Sequence, residues 1–534
     1  MNGLLIGILL LTPLALLASG WYRHSRWSLL LATLPALGAG LLLRSGDTIS
    51  LEWLLLGSQL GVDTVTRWLL PAAAIVWAAA ALQHATAAAS DAGDRRFRLF
   101  FLLALSGNLL LLLAQDAITF YVGFAMMGLS GYGLVLQRRS TSARVAAGTY
   151  LRWTIAGELL LFSGLLALAH DTGSTQLALR DGDAVSLSAW TLALLIGGFG
   201  IKIGLPGLHA WMPGSYAASS SAGSAVLSGA MSNAGILGLL HFLPLQQPGY
   251  AGAGMLLLAF GLLGAFYGVL LGLPQRRPKV ILAYSSISQL GTLAALLGLA
   301  LMAPALAPAL IVAVTVYAVH HGLSKAALFL ALDAIGHARW RGLAIAVLIG
   351  LSLSMAGVPF SSGAVAKGLA KDAIGEAYPW LVTLLAIAGI ATTLLMTRFL
   401  FACVRRTPNS LPVQRGSGVA IALLLLIVAH VAVYQVSPLP VLSAHAIWPL
   451  AIAMVLVIAY AMLPAPAHRA LQPVIPKGDL PNLLAKALIR TLRSYPLRPT
   501  LLQLRERLQH ALVSDQRSAA PDADPLNDAT RKTR

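Results

Sequence analysis

Charged residues are scarce in this sequence. Only 10% of its 534 residues are Asp, Glu, Lys or Arg, 57% are hydrophobic, and the mean hydropathy is +0.78. A soluble domain typically carries about 25% charged residues, so this balance excludes an ordinary soluble fold.

Long apolar runs take the place of the missing charge, and they predict about fifteen membrane spans. A span needs about 20 apolar residues to cross about 30 Å of hydrocarbon. The predicted centres lie near residues 11, 36, 76, 106, 127, 160, 195, 232, 262, 290, 320, 349, 390, 427 and 454. A β-barrel would show short alternating segments instead. The predicted fold class is therefore an all-α polytopic membrane protein with about 14–15 transmembrane helices.

Cysteine and the usual cofactor motifs are also missing. A lone cysteine, Cys403, excludes an internal disulfide and an iron–sulfur cluster held by this chain alone. No nucleotide-binding glycine loop, dinucleotide fingerprint or paired haem-ligand pattern occurs. The histidines are scattered singly apart from His320 and His321, so no metal site is predicted. We expect no cofactor and no redox site in this chain, which leaves open whether it is part of an enzyme.

Acidic residues are half as frequent as basic ones, and the basic residues occupy alternate loops. The net charge is +18. The first span has no basic segment before it and is followed by Arg23 and Arg26, which favours a retained span over a signal peptide. Basic loops follow the odd-numbered spans, which predicts an N-terminus outside and a C-terminus in the cytoplasm of a bacterial-type inner membrane. Arginines facing anionic lipid account for the charge, so no nucleic-acid partner is predicted.

Lysine is scarcer than arginine, with eight lysines against 29 arginines, yet Lys202, Lys325 and Lys367 lie inside long apolar stretches. A charge at the centre of a bilayer costs roughly 3 kcal/mol even on the lenient insertion scale. Lysine, unlike arginine, can lose its proton when it is desolvated. Lysines in the dry interior therefore indicate a path for protons.

Two of these lysines lie beside similar Gly-x-Pro triplets: GLP follows Lys202, and GVP precedes Lys367. Proline removes a backbone donor and glycine weakens a helix, so both spans should break at membrane depth. The predicted break residues are Gly204, Pro206, Gly357 and Pro359. The triplets are five spans apart, and an odd number of spans inverts the second unit relative to the first. The pattern predicts two inverted five-helix repeats, with broken helices near 202–206 and 357–367.

Four segments resemble a known family. They are IKIGLPGLHAWMPGSYAASSSAGSAVLSGAMSNAGILGLL (201–240), RRPKVILAYSSISQLGTL (276–293), HHGLSKAALFLALDAIGH (320–337) and AGVPFSSGAVAKGLAKDA (356–373). They are similar to segments of the antiporter-like proton-channel subunits shared by respiratory complex I, membrane-bound hydrogenases and Mrp-type cation/proton antiporters. The resemblance covers about residues 100–400.

The chain is predicted to have four parts. Residues 1–96 form N-terminal transmembrane helices, 97–403 the antiporter-like core, and 404–463 C-terminal transmembrane helices. Residues 464–534 form a basic tail with an amphipathic helix on the cytoplasmic membrane surface and a disordered end. A helix that packs on a partner protein is the alternative for this tail.

The resemblance implies roles for the buried lysines. Lys202 would be the channel lysine of the first half, Lys325 the central lysine, and Lys367 the distal lysine of the second half. The alternative for Lys202 and Lys367 is a structural partner for a carbonyl of the broken helix. His321 precedes Lys325 by four residues and shares its helical face, so we predict a proton relay there, or else a histidine hydrogen-bonded between helices. His320 points away and is predicted to be structural.

The first half departs from the family pattern. The family's fifth span carries a glutamate after an aromatic residue, whereas here Ala125 follows Phe124. Asn233 stands where many relatives carry lysine or histidine, and an amide does not titrate. Either Glu158, an isolated carboxylate of the sixth span, replaces the missing partner of Lys202, or the first-half channel is inactive.

Three charged residues near span ends have predicted local roles. Asp116 caps the fifth span. Lys371 reaches the surface beside Asp372. Asp333, two turns beyond Lys325, leads toward the cytoplasmic exit.

The sequence favours a proton-translocating membrane subunit of a multisubunit ion-pumping complex. The expected host is a complex I-like or hydrogenase-type quinone or ferredoxin oxidoreductase, whose electron carriers lie in other subunits. One alternative is a subunit of an Mrp-type Na⁺/H⁺ antiporter or of a cation-driven inorganic-carbon uptake system. Another is a non-conducting scaffold, which the missing fifth-span glutamate favours.

Overall fold

A computed structural model describes residues 2–55, 57–87, 91–138, 140–173, 186–405, 417–436 and 444–462. Within these residues the chain is nearly all helical. The first helices are α1 (Asn2–Ala18), α2 (Ser28–Leu42), α3 (Thr66–Thr86), α4 (Asp91–Leu113), α5 (Ala117–Val135), α6 (Thr141–Thr172) and α7 (Ala189–Ile203). They are followed by α8 (Met212–Ala218), α9 (Ser221–Val226), a π-helix (Leu227–Met231), α10 (Asn233–Phe242), α11 (Ala251–Gly272) and α12 (Pro278–Met302). The last are α13 (Ala307–Ala331), α14 (Ala338–Ala356), α15 (Ser362–Ile374), α16 (Pro379–Val404), α17 (Ser417–Tyr434) and α18 (Ala444–Met462).

The prediction of a polytopic α-helical membrane protein is confirmed. Eleven helices of the described residues are long and apolar enough to cross a membrane, and four more apolar helices are shorter. Each of the fifteen predicted centres falls within one of these helical runs. Helices satisfy all of their backbone hydrogen bonds internally, which lipid requires.

The interior of the bundle is formed by the helices that carry the central motifs. In the most apolar 18-residue stretch of each helix, every residue of the run Ser221–Phe242 and 94% of the residues of α12 are buried, against 33% in α6. Glycines let α11 approach α12 closely: a Cβ on Gly261 would lie 2.4 Å from the backbone nitrogen of Ala295. Small residues at such spacing are the usual means of tight helix packing in membranes.

A short antiparallel hairpin between α2 and α3 was not predicted. Its strands are β1 (Thr48–Leu51) and β2 (Ser58–Gly61). The predicted cap at Asp116 is confirmed, because its carboxylate accepts a hydrogen bond from the Thr119 nitrogen at 2.8 Å. The same carboxylate accepts from the Gln59 nitrogen of β2 at 2.9 Å, so one residue caps α5 and holds the hairpin.

The predicted tail at 464–534, with its amphipathic helix and disordered end, lies outside the described residues. The boundaries 1–96, 97–403 and 404–463 remain predictions. All of the described residues belong to one compact unit.

Candidate functional site

The first Gly-x-Pro triplet interrupts the helix that carries Lys202. Helix α7 ends at Ile203, and Gly204 has φ +74°, a left-handed conformation that favours glycine. The Leu205 nitrogen donates to the Gly200 carbonyl at 2.9 Å, and the Trp211 indole donates to the Ile201 carbonyl at 2.8 Å. These bonds satisfy carbonyls that the interruption leaves without helical partners.

Lys202 lies in the last turn of α7, buried against α5 and α10. Its ammonium nitrogen lies 5.2 Å from the centroid of the Phe124 ring, within cation–π distance. Gly235 of α10 allows the approach, because a Cβ there would meet the Lys202 Cβ at 3.1 Å and the Ile203 side chain at 2.6 Å.

Glu158 of α6 lies beside Lys202, and both side chains are buried. The position that a Cβ on Gly128 would take is 2.6 Å from Glu158 Oε1 and 3.7 Å from Lys202 Nζ. Both charged groups therefore lie beside the space that Gly128 of α5 leaves free. Ala125, where the family pattern has glutamate, is half-buried on the same helix. The sequence left two alternatives, and the one in which α6 supplies the carboxylate stays a prediction.

The second triplet also interrupts a helix. Helix α14 ends at Ala356, and Gly357 has φ +89°. Phe360, just after Pro359, has φ +65°, which is rare for a residue with a side chain. The backbone at this break is thus held in two left-handed conformations.

Lys367 reaches back from α15 across the second break. Its amine donates to the Met355 carbonyl at 2.8 Å and to the Ala356 carbonyl at 3.0 Å. These are the last carbonyls of α14, and the C-terminal end of a helix attracts positive charge. The Lys367 amine therefore binds carbonyls of the broken helix, as the structural alternative predicts. It also places a titratable group at the break.

Lys325 is fully buried in α13. Its amine donates to the Leu282 carbonyl of α12 at 3.0 Å. His321, one turn earlier, is also fully buried, and neither ring nitrogen has a hydrogen-bond partner among the described residues. Lys325 and His321 are four residues apart in α13, which fits the predicted placement of both on one face of the helix.

His320 has the inter-helix contacts that the sequence did not predict for it. Its Nδ1 lies 2.9 Å from the Ser362 hydroxyl of α15 and 3.4 Å from the Ser324 hydroxyl. Ser362 in turn lies 3.1 Å from the Ser354 hydroxyl of α14. Because adjacent residues point about 100° apart on a helix, His321 and His320 face different neighbours, and His320 is the one that faces the second broken helix.

A small cavity adjoins Lys367. Its volume of about 20 Å³ is enough for a water molecule. Gln289, Tyr317 and Thr392 line it, and the Gln289 amide bonds to both hydroxyls. Lys371 also lines this cavity and is half-buried, and its predicted reach to the surface stays a prediction.

Asn233 joins the two halves of the site. Its amide nitrogen donates to the Ala318 carbonyl of α13 at 2.9 Å and to the Gly229 carbonyl at 3.2 Å. Gly229 lies in the π-helix, and a Cβ there would meet the Gly322 carbonyl at 2.7 Å. Single π-turns inside α-helices often occur at functional sites. Here the π-turn packs helix α10, which contacts Lys202, against helix α13, which carries Lys325.

Asp333, just beyond α13, accepts a hydrogen bond from the Ser221 hydroxyl at 2.6 Å and another from the Gln83 amide at 3.3 Å. Ser219, two residues before Ser221, has a carbonyl that accepts a hydrogen bond from the Lys279 amine at 2.8 Å. Polar groups therefore cluster where α9 begins. In the described part of the chain, no group of three or more His, Cys, Asp and Glu residues could hold a metal ion.

Comparison with known proteins identifies a family model described as NADH:quinone oxidoreductase/Mrp antiporter, TM, which matches residues 114–395. Hydrogenase-4 component B of Escherichia coli is 30% identical over 247 residues, covering 44% of this chain and 37% of that protein. NADH-ubiquinone oxidoreductase chain 4 of Gadus morhua is 27% identical over 342 residues, covering 60% of this chain and 71% of that one.

A chain of the Mrp complex from Dietzia sp. DQ12-45-1b has a similar fold, with a TM-score of 0.73 at 21% identity. The similarity covers 98% of this chain and 64% of that chain. The match to the hydrogenase component, by contrast, spans little more than a third of that protein's length.

Proposed function

Because the chain belongs to the NADH:quinone oxidoreductase/Mrp antiporter transmembrane family, we propose that it is a proton-translocating subunit of a larger ion-pumping membrane complex. One observation carries the proposal. Lysine amines are enclosed between apolar helices, and two of them lie at helix interruptions, where polar backbone is exposed inside the bundle. Irregular backbone at membrane depth occurs where it packs inside protein or lines a water-filled cavity.

The proposed mechanism passes protons along the lysines by charge coupling. When Glu158 carries a negative charge it favours the protonated form of Lys202, and a change in either charge alters the proton affinity of the other. Lys325 receives the proton from the Lys202 half across the α10–α13 contact. His320 and Ser362 then connect α13 to the helix of Lys367.

The two broken helices are proposed to belong to inverted repeats, so that Lys202 and Lys367 serve equivalent half-channels. The distribution of basic loops supports an N-terminus outside and a C-terminus in the cytoplasm of a bacterial-type inner membrane.

The host complex is proposed to be a complex I-like or hydrogenase-type oxidoreductase. Sequence similarity to hydrogenase-4 component B and to a complex I chain supports this host. The second candidate is an Mrp-type Na⁺/H⁺ antiporter, which the fold similarity over 98% of the chain favours. The scaffold alternative was motivated by the missing fifth-span glutamate, and the position of Glu158 near Lys202 supports the conducting subunit instead.

The test is to purify the native complex through a tag on this chain, reconstitute it in liposomes, and record proton uptake with a pH-sensitive dye. Lys202→Met, Lys325→Met and Lys367→Met should each abolish uptake in complexes that assemble normally. Lys486→Met makes the same chemical change in the tail and should leave uptake unaltered. A scaffold would retain uptake in all four variants.

Mass spectrometry of the co-purifying chains separates the hosts. Iron–sulfur, flavin or nickel subunits would identify a redox-driven pump. Small hydrophobic antiporter subunits would identify ion exchange, and a zinc-binding soluble partner would identify carbon uptake.

A further inference from the structure

A large cavity lies apart from the lysines, between the starts of α7 and α11 and the end of α10. Its volume is about 1330 Å³. Leu192, Ile196 and Phe260 give it apolar walls, while Thr64, Gln246 and His241 are among its polar lining residues. We call it the α7–α11 cavity. The distribution of basic loops places this cavity on the opposite side of the membrane from those loops.

A buried contact between a carboxylate and an imidazole adjoins this cavity, whose lining includes His241. Asp63 Oδ2 lies 3.1 Å from His241 Nε2, and the side chains are 14% and 3% exposed, respectively. Asp63 Oδ1 accepts hydrogen bonds from the Val65 and Thr66 nitrogens at 2.7 and 2.8 Å, which anchors the carboxylate at the start of α3. The chain thus holds a histidine against a fixed carboxylate beside the cavity, outside the lysine series. Among the described residues that line the cavity, Tyr250 is the other titratable one, and its hydroxyl accepts a hydrogen bond from the Leu187 nitrogen at 2.9 Å.

Four buried phenylalanines lie between this pair and Lys202. The phenylalanine cluster consists of Phe120 and Phe124 of α5, Phe199 of α7 and Phe242 of α10. Their ring centroids are 5.0 to 6.0 Å apart in five pairs. At one end, Lys202 Nζ lies 5.2 Å from the Phe124 ring. At the other end, the His241 ring lies 6.2 Å from the Phe120 ring.

The cluster depends on a glycine of α10. A Cβ on Gly238 would lie 2.1 Å from the Phe199 ring, so any side chain at position 238 would displace that ring. Phe199 lies one turn after Ile196, which lines the cavity, and three residues before Lys202. The Phe199 ring also packs against Phe124, which contacts the Lys202 amine, and against Phe120, which contacts the His241 ring.

We propose that the phenylalanine cluster is a hydrophobic gate through which Lys202 exchanges a proton with the Asp63–His241 pair at the wall of the α7–α11 cavity. Apolar constrictions block ions and protons by excluding water, and they conduct when side-chain motion lets water enter. The proposal rests on the proposed function, because it assigns a route to the proton that Lys202 carries.

The transfer conserves charge and protons. The Lys202 ammonium gives a proton through transient water to the His241 imidazole, leaving a neutral amine and an imidazolium that the Asp63 carboxylate stabilises. The imidazolium then releases the proton to water in the cavity, and the reverse sequence loads Lys202. The cation–π contact couples the gate to this charge, because Phe124 is attracted to the ammonium and not to the neutral amine.

The test measures passive proton flux in liposomes containing the native complex, with no substrate and with a potassium diffusion potential imposed. Phe199→Ala should raise the flux severalfold. Phe399→Ala removes an equally buried phenyl ring outside the cluster and should leave the flux unchanged. Phe199→Leu removes less of the side chain and should raise the flux by a smaller factor. This variant replaces Phe199→Ala in the test if the alanine variant does not assemble.

Two double variants decide whether the leak follows the proposed route. Adding Lys202→Met or His241→Gln to Phe199→Ala should return the flux to the wild-type level. A leak that persists in both double variants, or an assembled Phe199 variant that does not leak, overturns the gate. The proposed function is tested separately, because it fails if Lys202→Met alone leaves driven proton uptake intact.

Discussion

At the scale of single residues, each buried amine has a different kind of acceptor. Lys202 faces a carboxylate and an aromatic ring, Lys325 a single carbonyl, and Lys367 the two last carbonyls of a helix. A carbonyl dipole stabilises an ammonium but cannot take its proton, whereas a carboxylate can change charge itself. Among the three lysines, Lys202 is therefore the one whose nearby acidic partner can switch its proton affinity.

Glu158→Gln tests this assignment while keeping the side-chain shape. We expect driven proton uptake to fall about tenfold or more, because an amide cannot carry the charge that is proposed to change the proton affinity of Lys202. The measurement is proton uptake by the reconstituted complex. Adding Ala125→Glu, which restores a carboxylate at the family position on α5, should recover part of the uptake, and adding Ala125→Gln should not. Full uptake in Glu158→Gln alone would contradict the role of this carboxylate.

Gly128→Ala tests the space in which the pair meets. The new Cβ would lie 2.6 Å from Glu158 Oε1, so the carboxylate must move and uptake should fall. Gly148→Ala on α6 is the matched control, because a Cβ there meets no atom within 4 Å. The control should keep full uptake, and its stability should be equal or slightly higher, because alanine favours a helix by about 0.5–1 kcal/mol over glycine. Equal uptake in both variants would show that the spacing at Gly128 does not matter.

At the scale of helices, the two interruptions differ in how the lysine is placed. Lys202 precedes its break, and Lys367 follows its break and reaches back over it. The second break also needs close packing, because a Cβ on Gly363 would lie 1.8 Å from the Ser354 carbonyl oxygen and 3.1 Å from His320 Nε2. Gly363 thus lets α15 lie against both α14 and α13.

Gly363→Ala should therefore destabilise the protein. Overpacking of this kind typically costs about 1–3 kcal/mol, and the contact here is with backbone that cannot rotate away. Gly368→Ala, on the same helix, meets nothing within 4 Å and should have little effect. Thermal unfolding of the detergent-solubilised complex, followed by the loss of the assembled species, distinguishes the two. A Gly363→Ala complex as stable as the control would mean that α15 shifts without cost.

At the scale of the whole molecule, the helices form a bundle whose most buried members carry the polar groups. The run Ser221–Phe242 and helices α12 and α13 hold Asn233, Gln289 and Lys325, whereas α6, α16 and α17 have most of their residues at the surface of the bundle. This placement keeps the polar groups away from hydrocarbon, where an unsatisfied polar group costs several kcal/mol. It also places polar groups of neighbouring helices in contact with one another, as Asn233 is with α13 and Gln289 is with Tyr317.

The proposed orientation can be tested with single introduced cysteines, because Cys403 is buried and should give little background. Ser142 and Gln246 are both exposed, at opposite ends of the bundle. In intact cells, Gln246→Cys should react with a membrane-impermeant maleimide, and Ser142→Cys should react only after permeabilisation. The reverse pattern would invert the orientation.

The sequence predicted individual helices well because their signal is local. An apolar run of about 20 residues has few options in lipid other than a helix. Cap residues such as Asp116 were also predictable, since a cap acts within one turn. The hairpin after α2 was missed because its short polar strands carry little alternation, and one of them is held by Asp116, which is distant in sequence.

The site was only partly predictable from the sequence. The scarcity of lysine and the repeated Gly-x-Pro triplets pointed to Lys202, Lys325 and Lys367. The partners of His320 on α15 were not predictable, because the neighbours of a helix face depend on which helix packs there. The Asp63–His241 pair was missed, since nothing local in the sequence links residues so far apart.

The sequence by itself determined the membrane class, the positions of the helices and the buried lysines, because hydrophobicity and helix-breaking residues act locally along the chain. Only the tertiary structure decided which groups meet each lysine. The Glu158 carboxylate and the Lys202 amine both lie beside Gly128, and the Phe199 ring packs against α10 because Gly238 has no side chain. Such contacts depend on the distance between two helix axes, which is set by small residues on both helices together and not by either segment alone.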